Sequence, residues 1–190
     1  KPTVKINGDG FYQPFNCSPI TFKNTAEIMY RQMISSAKKY VYITTPYLVI
    51  DDSMANELCL AALTGIDVRI ITPKVWDKWY VYMVTCSNYK RLLESGVRIF
   101  EYAPGYIHAK TIISDDDNAI IGSINMDYRS FYLHFENGVW ICGAPVIKDI
   151  KEDIMKTMDE CEEIVLEKWN KRPWYKKVSE TFLRIFAPLM

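Results

Sequence analysis

Short β-branched and aromatic runs alternate with longer helical stretches through the first hundred residues, and few folds accept that rhythm. Tyr40–Thr44 (Tyr-Val-Tyr-Ile-Thr) reads as a strand that halts at Pro46. Asp52 or Ser53 is placed to cap a helix reaching Leu63, where Thr64-Gly65 stops it. Residues 66–71 read as the next strand, ended by Pro73, and 77–94 as a helix with Gly96 at its C-terminal stop. A short strand over 97–100 follows. Strands spaced by helices in this way predict βαβ units on a largely parallel sheet. From Ile107 the spacing tightens to strands at 107–113, 118–122 and 137–142, and a helix is expected over 145–169 with Pro145 in its first turn. The expectation is one α/β domain with a mixed, largely parallel sheet flanked by helices, covering residues 1–173. Residues 1–22, with Gly8, Gly10, Pro14 and Pro19, read as an irregular lead-in.

Length and composition narrow the function classes. A chain of 190 residues can bury about 70% of its unfolded surface, so it needs neither disulfides nor metal to hold a core. Lys and Arg number 23 and Asp and Glu 23, which argues against a whole-surface attraction to nucleic acid. The five cysteines are scattered and form no Cys-x-x-Cys, so a zinc or thioredoxin-like site is not indicated; they read as small buried hydrophobes in a reducing compartment. No run approaches the ~18 apolar residues of a membrane span. The start at Lys1-Pro2-Thr3 has neither an initiator Met nor a signal-peptide core, and reads as a piece of a longer protein.

After Pro173, residues 174–190 read as a separate amphipathic tail. Tyr175, Val178, Phe182, Ile185, Phe186 and Leu189 fall at helical spacing. From Lys168 onward six basic residues (168, 171, 172, 176, 177, 184) face one acid, Glu180. That composition suits a terminal helix docked on its own core or one lying on a membrane surface.

The chemistry concentrates in Tyr106-Ile-His108-Ala-Lys110 and in Gly122-Ser123-Ile-Asn125. His108 and Lys110, two apart on the expected strand 107–113, would share a face and set an imidazole beside a fixed cation. A phosphodiester needs that pairing: the ammonium takes a phosphoryl oxygen while the imidazole attacks phosphorus or transfers a proton. Ser123 and Asn125 would offer neutral donors to the same oxygens, with Gly122 allowing close approach of backbone to ligand. A lone His-x-Lys is common by chance. The whole pattern is not: His108-x-Lys110-x4-Asp115, six residues, then Gly122-Ser123-x-Asn125, in a chain with two histidines.

This pattern resembles the signature His-Lys-Asp motif of the phospholipase D superfamily. The sequence is closer still to bacterial cardiolipin synthases, in particular their C-terminal half, in Tyr40-Val-Tyr-Ile-Thr-Thr-Pro-Tyr-Leu48, Gly105-Tyr-Ile-His-Ala-Lys110, Asn125-Met-Asp-Tyr-Arg-Ser-Phe-Tyr132 and Arg184-Ile-Phe-Ala-Pro-Leu189. The resemblance implies a phospholipase D-like fold and a catalytic set of His108, Lys110, Asp115 and Glu136. In that set His108 is nucleophile or acid/base, Asp115 supports structure, and Glu136 orients the imidazole. It implies that Lys110, Ser123 and Asn125 contact phosphate. Asp127 is the alternative orienter, His134 a competitor beside Glu136, and Tyr47 and Tyr106 are candidates to line a headgroup pocket. The implied reaction condenses two phosphatidylglycerol molecules to cardiolipin and glycerol through a phosphatidyl-histidine, with no metal or cofactor and no nucleic-acid partner. The implied setting is the cytoplasmic face of the cell membrane for the parent protein, the fragment itself being soluble. Only one such motif is present where the family uses two, so the partner is an N-terminal motif-bearing half or a second copy of this chain. A hydrolase, a single-motif homodimeric nuclease and an inactive half-domain are the rival readings.

Overall fold

Strand β2 (Tyr40–Thr44) is buried on both sides, and its alternation divides the core. The computed structural model describes residues 9–20 and 24–189. Val41 and Ile43 point to one face of the sheet, with Val68, Ile70, Ile99, Ile112 and Ile120. They meet helices α1 (Thr25–Ser36), α2 (Asp52–Leu63) and α3 (Trp79–Glu94) through Tyr30, Leu58 and Tyr89. Tyr40 and Tyr42 point the other way, with Ile71, Phe100, Ile113 and Ile141, onto α4 (Val146–Asp159) through Ile147, Ile154 and Met158. The period of two along each strand thus builds a three-layer α/β/α body.

The remaining strands are β1 (Phe11–Cys17), β3 (Leu48–Val49), β4 (Asp67–Pro73), β5 (Arg98–Tyr102), β6 (Thr111–Ser114), β7 (Asn118–Gly122), β8 (Met126–Asp127), β9 (Glu136–Cys142) and β10 (Cys161–Glu163). The main sheet runs β1-β9-β7-β6-β2-β4-β5-β10, and β3 pairs with β8 apart from it. The mixed α/β sheet is as expected, but parallel pairing is confined to β2-β4-β5 within it; the other neighbours in the main sheet are antiparallel. The cause is the change of rhythm after Ile107, where short connections leave only antiparallel return.

Three boundaries differ from expectation. The lead-in contains β1, which pairs with β9 despite Pro14; an edge strand tolerates the missing N–H. The helix expected over 145–169 breaks after Asp159. Glu162 and Glu163 look like helix formers, but they pair with Lys74 and Arg98 at 2.6 and 2.7 Å as β10 zips onto β5, and α5 (Leu166–Asn170) follows. Helix α2 is capped by Asp51, whose carboxylate accepts from the Met54 N–H at 2.8 Å, not by Asp52 or Ser53.

The hairpin between β6 and β7 is tied to the start of β2 by one side chain. Asp115, in the left-handed region at φ +56°, accepts backbone N–H groups from Lys38, Lys39 and Tyr40 at 2.7, 2.8 and 3.0 Å. Beside it the Tyr40 hydroxyl donates to Asp116 at 2.8 Å, and Lys151 from α4 reaches the same carboxylate at 2.7 Å. Replacing Asp115 by Ala leaves three donors to water or to nothing and places a methyl side chain in a conformation it disfavours. We expect a loss of about 2–4 kcal/mol in urea unfolding. Asp115→Asn, which tolerates that φ and keeps one acceptor oxygen, should lose clearly less; equal stability of the Ala variant and the wild type would contradict this account.

Candidate active site

Because β6 runs antiparallel to β2, with Thr44 opposite Thr111, the chain leading into β6 lies at the carboxyl ends of β2, β4 and β5. The end of β7 and the start of β9 fall at the same edge, Gly122 facing Gly138. Such an edge, where the strand order switches direction, is where open α/β sheets hold ligands. His108, Lys110, Ser123, Asn125 and Glu136 all come from these termini. Asp115 does not join them. It lies at the other end of β6, so its role in the structure is the clamp described above and not contact with a ligand.

His108 and Lys110 precede β6 instead of lying within it, since the strand begins at Thr111. They remain neighbours: the Lys110 ammonium donates to the His108 carbonyl at 2.6 Å, which leaves two of its N–H bonds for a ligand. Partial burial lowers the His108 pKa, and the Lys110 charge lowers it further against a smaller opposing pull from Asp77. Burial also lowers the Lys110 pKa, while Glu136 and Asp127 act to hold the ammonium charged. The Tyr106 ring lies 5.6 Å from the His108 ring, tilted by 32°. Its hydroxyl donates to Tyr47 at 2.9 Å, and Tyr47 donates to Asp77 at 2.6 Å. Tyr47 and Tyr106 therefore form the wall beside His108, anchored by a carboxylate in the loop between β4 and α3.

The carboxylate–imidazole pair expected between Glu136 and His108 is not formed. Strand β7 stands between β6 and β9, so the nearer partner of Glu136 is Ser123, whose hydroxyl donates to it. Ser130 donates to the other Glu136 oxygen at 3.2 Å. Asp127 is no orienter of His108 either: it is buried, accepts from the Asn125 amide at 3.1 Å and from the Ser130 N–H at 2.7 Å, and burial raises its pKa. The neutral donors expected from Ser123 and Asn125 are thus already engaged, with one amide N–H of Asn125 left over. Gly122 serves the fold. A Cβ there would collide with the Asn137 carbonyl oxygen and fall 2.6 Å from Gly138 Cα, so the glycine admits β9 and not a ligand.

His134 stands at the margin. Its Nε2 lies 3.1 Å from the Arg129 guanidinium, which can only donate, so that nitrogen accepts and the proton sits on Nδ1, 3.9 Å from Glu136. Asp77, Arg129 and Ser130 were not singled out from the sequence. A charged residue four positions past the Pro that ends a central strand was the available signal for Asp77; Arg129 and Ser130 gave none. Among the described residues no group of three or more His, Cys, Asp or Glu side chains is placed to hold a metal ion.

Residues 30–158 match the family model described as cardiolipin synthase, PLD-like domain. A cardiolipin synthase of Halalkalibacterium halodurans is 37% identical over 187 residues, which is 98% of this chain and 37% of that protein. Among solved structures, the phospholipase D family member Nuc from Salmonella typhimurium superposes with a TM-score of 0.69 at 19% identity, over 82% of this chain and 98% of Nuc. The phosphatidylserine synthase of Haemophilus influenzae Rd KW20 gives 0.71 at 16% identity, over 94% of this chain and 45% of that one. At those identities the structures speak for the fold alone. The chain spans 32–40% of the length of the curated relatives it matches first. With the sheet order, the edge-of-sheet site and a family match over most of its length, the chain belongs to the cardiolipin synthase, phospholipase D-like domain family.

Proposed function

We propose that this chain supplies one half of a phosphatidyltransferase site that condenses two phosphatidylglycerol molecules into cardiolipin and glycerol. The observation that carries the reading is the placement of His108 beside the Lys110 ammonium at the carboxyl edge of the sheet, where partial burial and that charge lower the imidazole pKa and favour its neutral form. A neutral imidazole is the form that attacks phosphorus, and the ammonium beside it is placed to take a phosphoryl oxygen. In the first step a histidine nitrogen forms a bond to phosphorus as the bond to glycerol oxygen breaks, and a second acid protonates the departing glycerol. In the second step the terminal hydroxyl of another phosphatidylglycerol attacks the same phosphorus, gives up its proton to that group, and the phosphorus–nitrogen bond breaks. His108 serves as the nucleophile or as the proton carrier; it cannot be both for one phosphorus. The other role falls to a second motif, from the remainder of a longer protein or from another copy of this chain. The membrane that holds the lipid substrate is the proposed place of action.

Two outcomes are expected. In the full-length protein, His108→Ala should cut conversion of phosphatidylglycerol to cardiolipin by at least ~10²-fold, within the range of a lost acid, base or nucleophile, while leaving the thermal melt unchanged. Trapping with ³²P-labelled lipid then separates the roles: acid-labile label on the wild-type protein that disappears in His108→Ala marks His108 as the nucleophile. Near-wild-type synthesis by the variant would overturn the assignment. In this chain, Lys110→Met should raise the His108 pKa, followed by NMR of the imidazole carbons against pH, because a neighbouring positive charge that disfavours imidazolium has gone. An unchanged or lowered value would show that the two side chains are not electrostatically coupled.

A further inference from the structure

Helix α6 (Trp174–Arg184) docks with the wrong face for an ordinary surface helix. It is held to the body by a buried acid and small apolar residues. Glu180, 5% exposed, receives Arg172 through two hydrogen bonds at 2.7 and 3.0 Å, and Arg172 stacks over the Trp169 ring at 3.2 Å. Arg184 reaches Asp52 at 3.0 Å. Leu183 and the buried Ala187 pack against Val49, Val81 and Val84. The aromatic and aliphatic stripe points away. Trp174, Val178, Phe182, Ile185 and Leu189, at spacings of three and four, are 57–78% exposed. A stripe of that size left in water marks a surface that meets something apolar.

That stripe ends at the candidate active site. Leu189 borders the same cleft as Tyr47, Asp127 and Arg129, together with Lys78 and Tyr80. Trp76, half exposed, lines the adjoining recess with Tyr47, Asp77 and Tyr106, and Trp79 stands exposed beside it at the start of α3. The segment that carries the stripe is basic. The single acid after Lys168 is Glu180, and it is buried and paired. Lys168, Lys171 and Lys176 are exposed and make no ion pair among the described residues, in a chain whose overall charge is zero.

We propose that the outer face of α6, with Trp76, Trp79 and Tyr80 at the cleft mouth, seats the protein on an anionic lipid bilayer and brings the cleft to the level of the headgroups. Tryptophan and tyrosine at the rim, aliphatic residues along one helix face and a basic excess in the same segment are the composition that binds at the interface of an anionic leaflet. Helix α6 follows the family match at 30–158, while Trp76, Trp79 and Tyr80 lie within it. The proposal deepens the lipid-substrate reading above. It is separable from it, because lipid binding is measured without turnover.

The test is co-sedimentation of this 190-residue chain with vesicles of phosphatidylglycerol and phosphatidylcholine, against vesicles of phosphatidylcholine alone. Binding should favour the anionic vesicles and weaken with added salt. The triple variant Val178→Ser/Phe182→Ser/Ile185→Ser should bind at least tenfold more weakly, and so should Lys171→Glu/Lys176→Glu, whose exposed substitutions leave the apolar stripe and the docking contacts intact. His108→Ala should bind as the wild type does. Analytical ultracentrifugation without lipid completes the set. Vesicle binding indifferent to both surface variants overturns the proposal. So does a lipid-free dimer that the triple variant dissociates while vesicles bind neither protein, since the stripe is then a contact between protein chains.

Discussion

The Asp115 carboxylate gathers three consecutive backbone N–H groups from the turn that opens β2, and the register of the whole sheet hangs on that contact. With the β6–β7 hairpin fixed against the first residue of β2, Val41 must face Ser114 and Thr44 must face Thr111. A slip of one residue would turn Val41 and Ile43 toward α4 and Tyr40 and Tyr42 toward α1, exchanging the two halves of the core. It would also carry Lys110 and Gly122 out of line with the carboxyl ends of β2 and β4. The acid of the motif therefore acts on the site from the opposite end of a four-residue strand, by fixing where that strand starts.

At the site itself the carboxylates outnumber what one imidazole needs. Glu136 is occupied by Ser123 and Ser130, and Asp127 by Asn125 and the Ser130 N–H. These bonds lock the loop that follows β7, and β8 pairs with β3 to press it against the end of β2. The Met126 N–H donates to the buried Thr45 hydroxyl at 3.1 Å, which ties the two loops directly. Both acids also act at a distance, favouring the charged form of a half-buried Lys110 against the opposing effect of burial. A cation held in this way, partly withdrawn from water, gains more from an arriving phosphodiester than a lysine on an open surface would.

The parts of this arrangement that were legible in the sequence are those with local causes. Strand β2 is bounded where its β-branched and aromatic run ends, α2 stops at Thr64-Gly65, and Gly96 adopts the positive φ its position suggested. His108 and Lys110 were visible from spacing alone. Long-range partnership was not. The Asp77–Tyr47–Tyr106 chain joins residues 30 and 59 positions apart, and the preference of Glu136 for Ser123 over His108 follows from β7 lying between β6 and β9. Helix α6 shows the limit of periodicity most clearly. Its apolar residues were evident at helical spacing, and docking on the core was one of the two arrangements they allowed; but which face docks is decided by Glu180 finding Arg172, a polar pair that no hydrophobic pattern announces.

The proposed two-step displacement asks for a nucleophile and a proton carrier on opposite sides of one phosphorus, and this chain has one imidazole to give to that pair. His134 is the other histidine, but its Nε2 is taken up by Arg129, and its ring stands beside Glu136 and not beside Lys110. To act, it would have to release a guanidinium and bring its ring across Ser123. His108 has no such tie: its ring meets the tilted Tyr106 ring, its nitrogens are bonded to no described side chain, and it is exposed. A second motif approaching that edge from outside would meet an imidazole whose neutral form is favoured and a lysine with two donors to spare. On this reasoning the exposure of His108 is the condition for sharing one phosphorus between two halves. The anchoring of its neighbours Tyr47 and Tyr106 on Asp77 then keeps that exposed ring in a fixed attitude until the other half arrives.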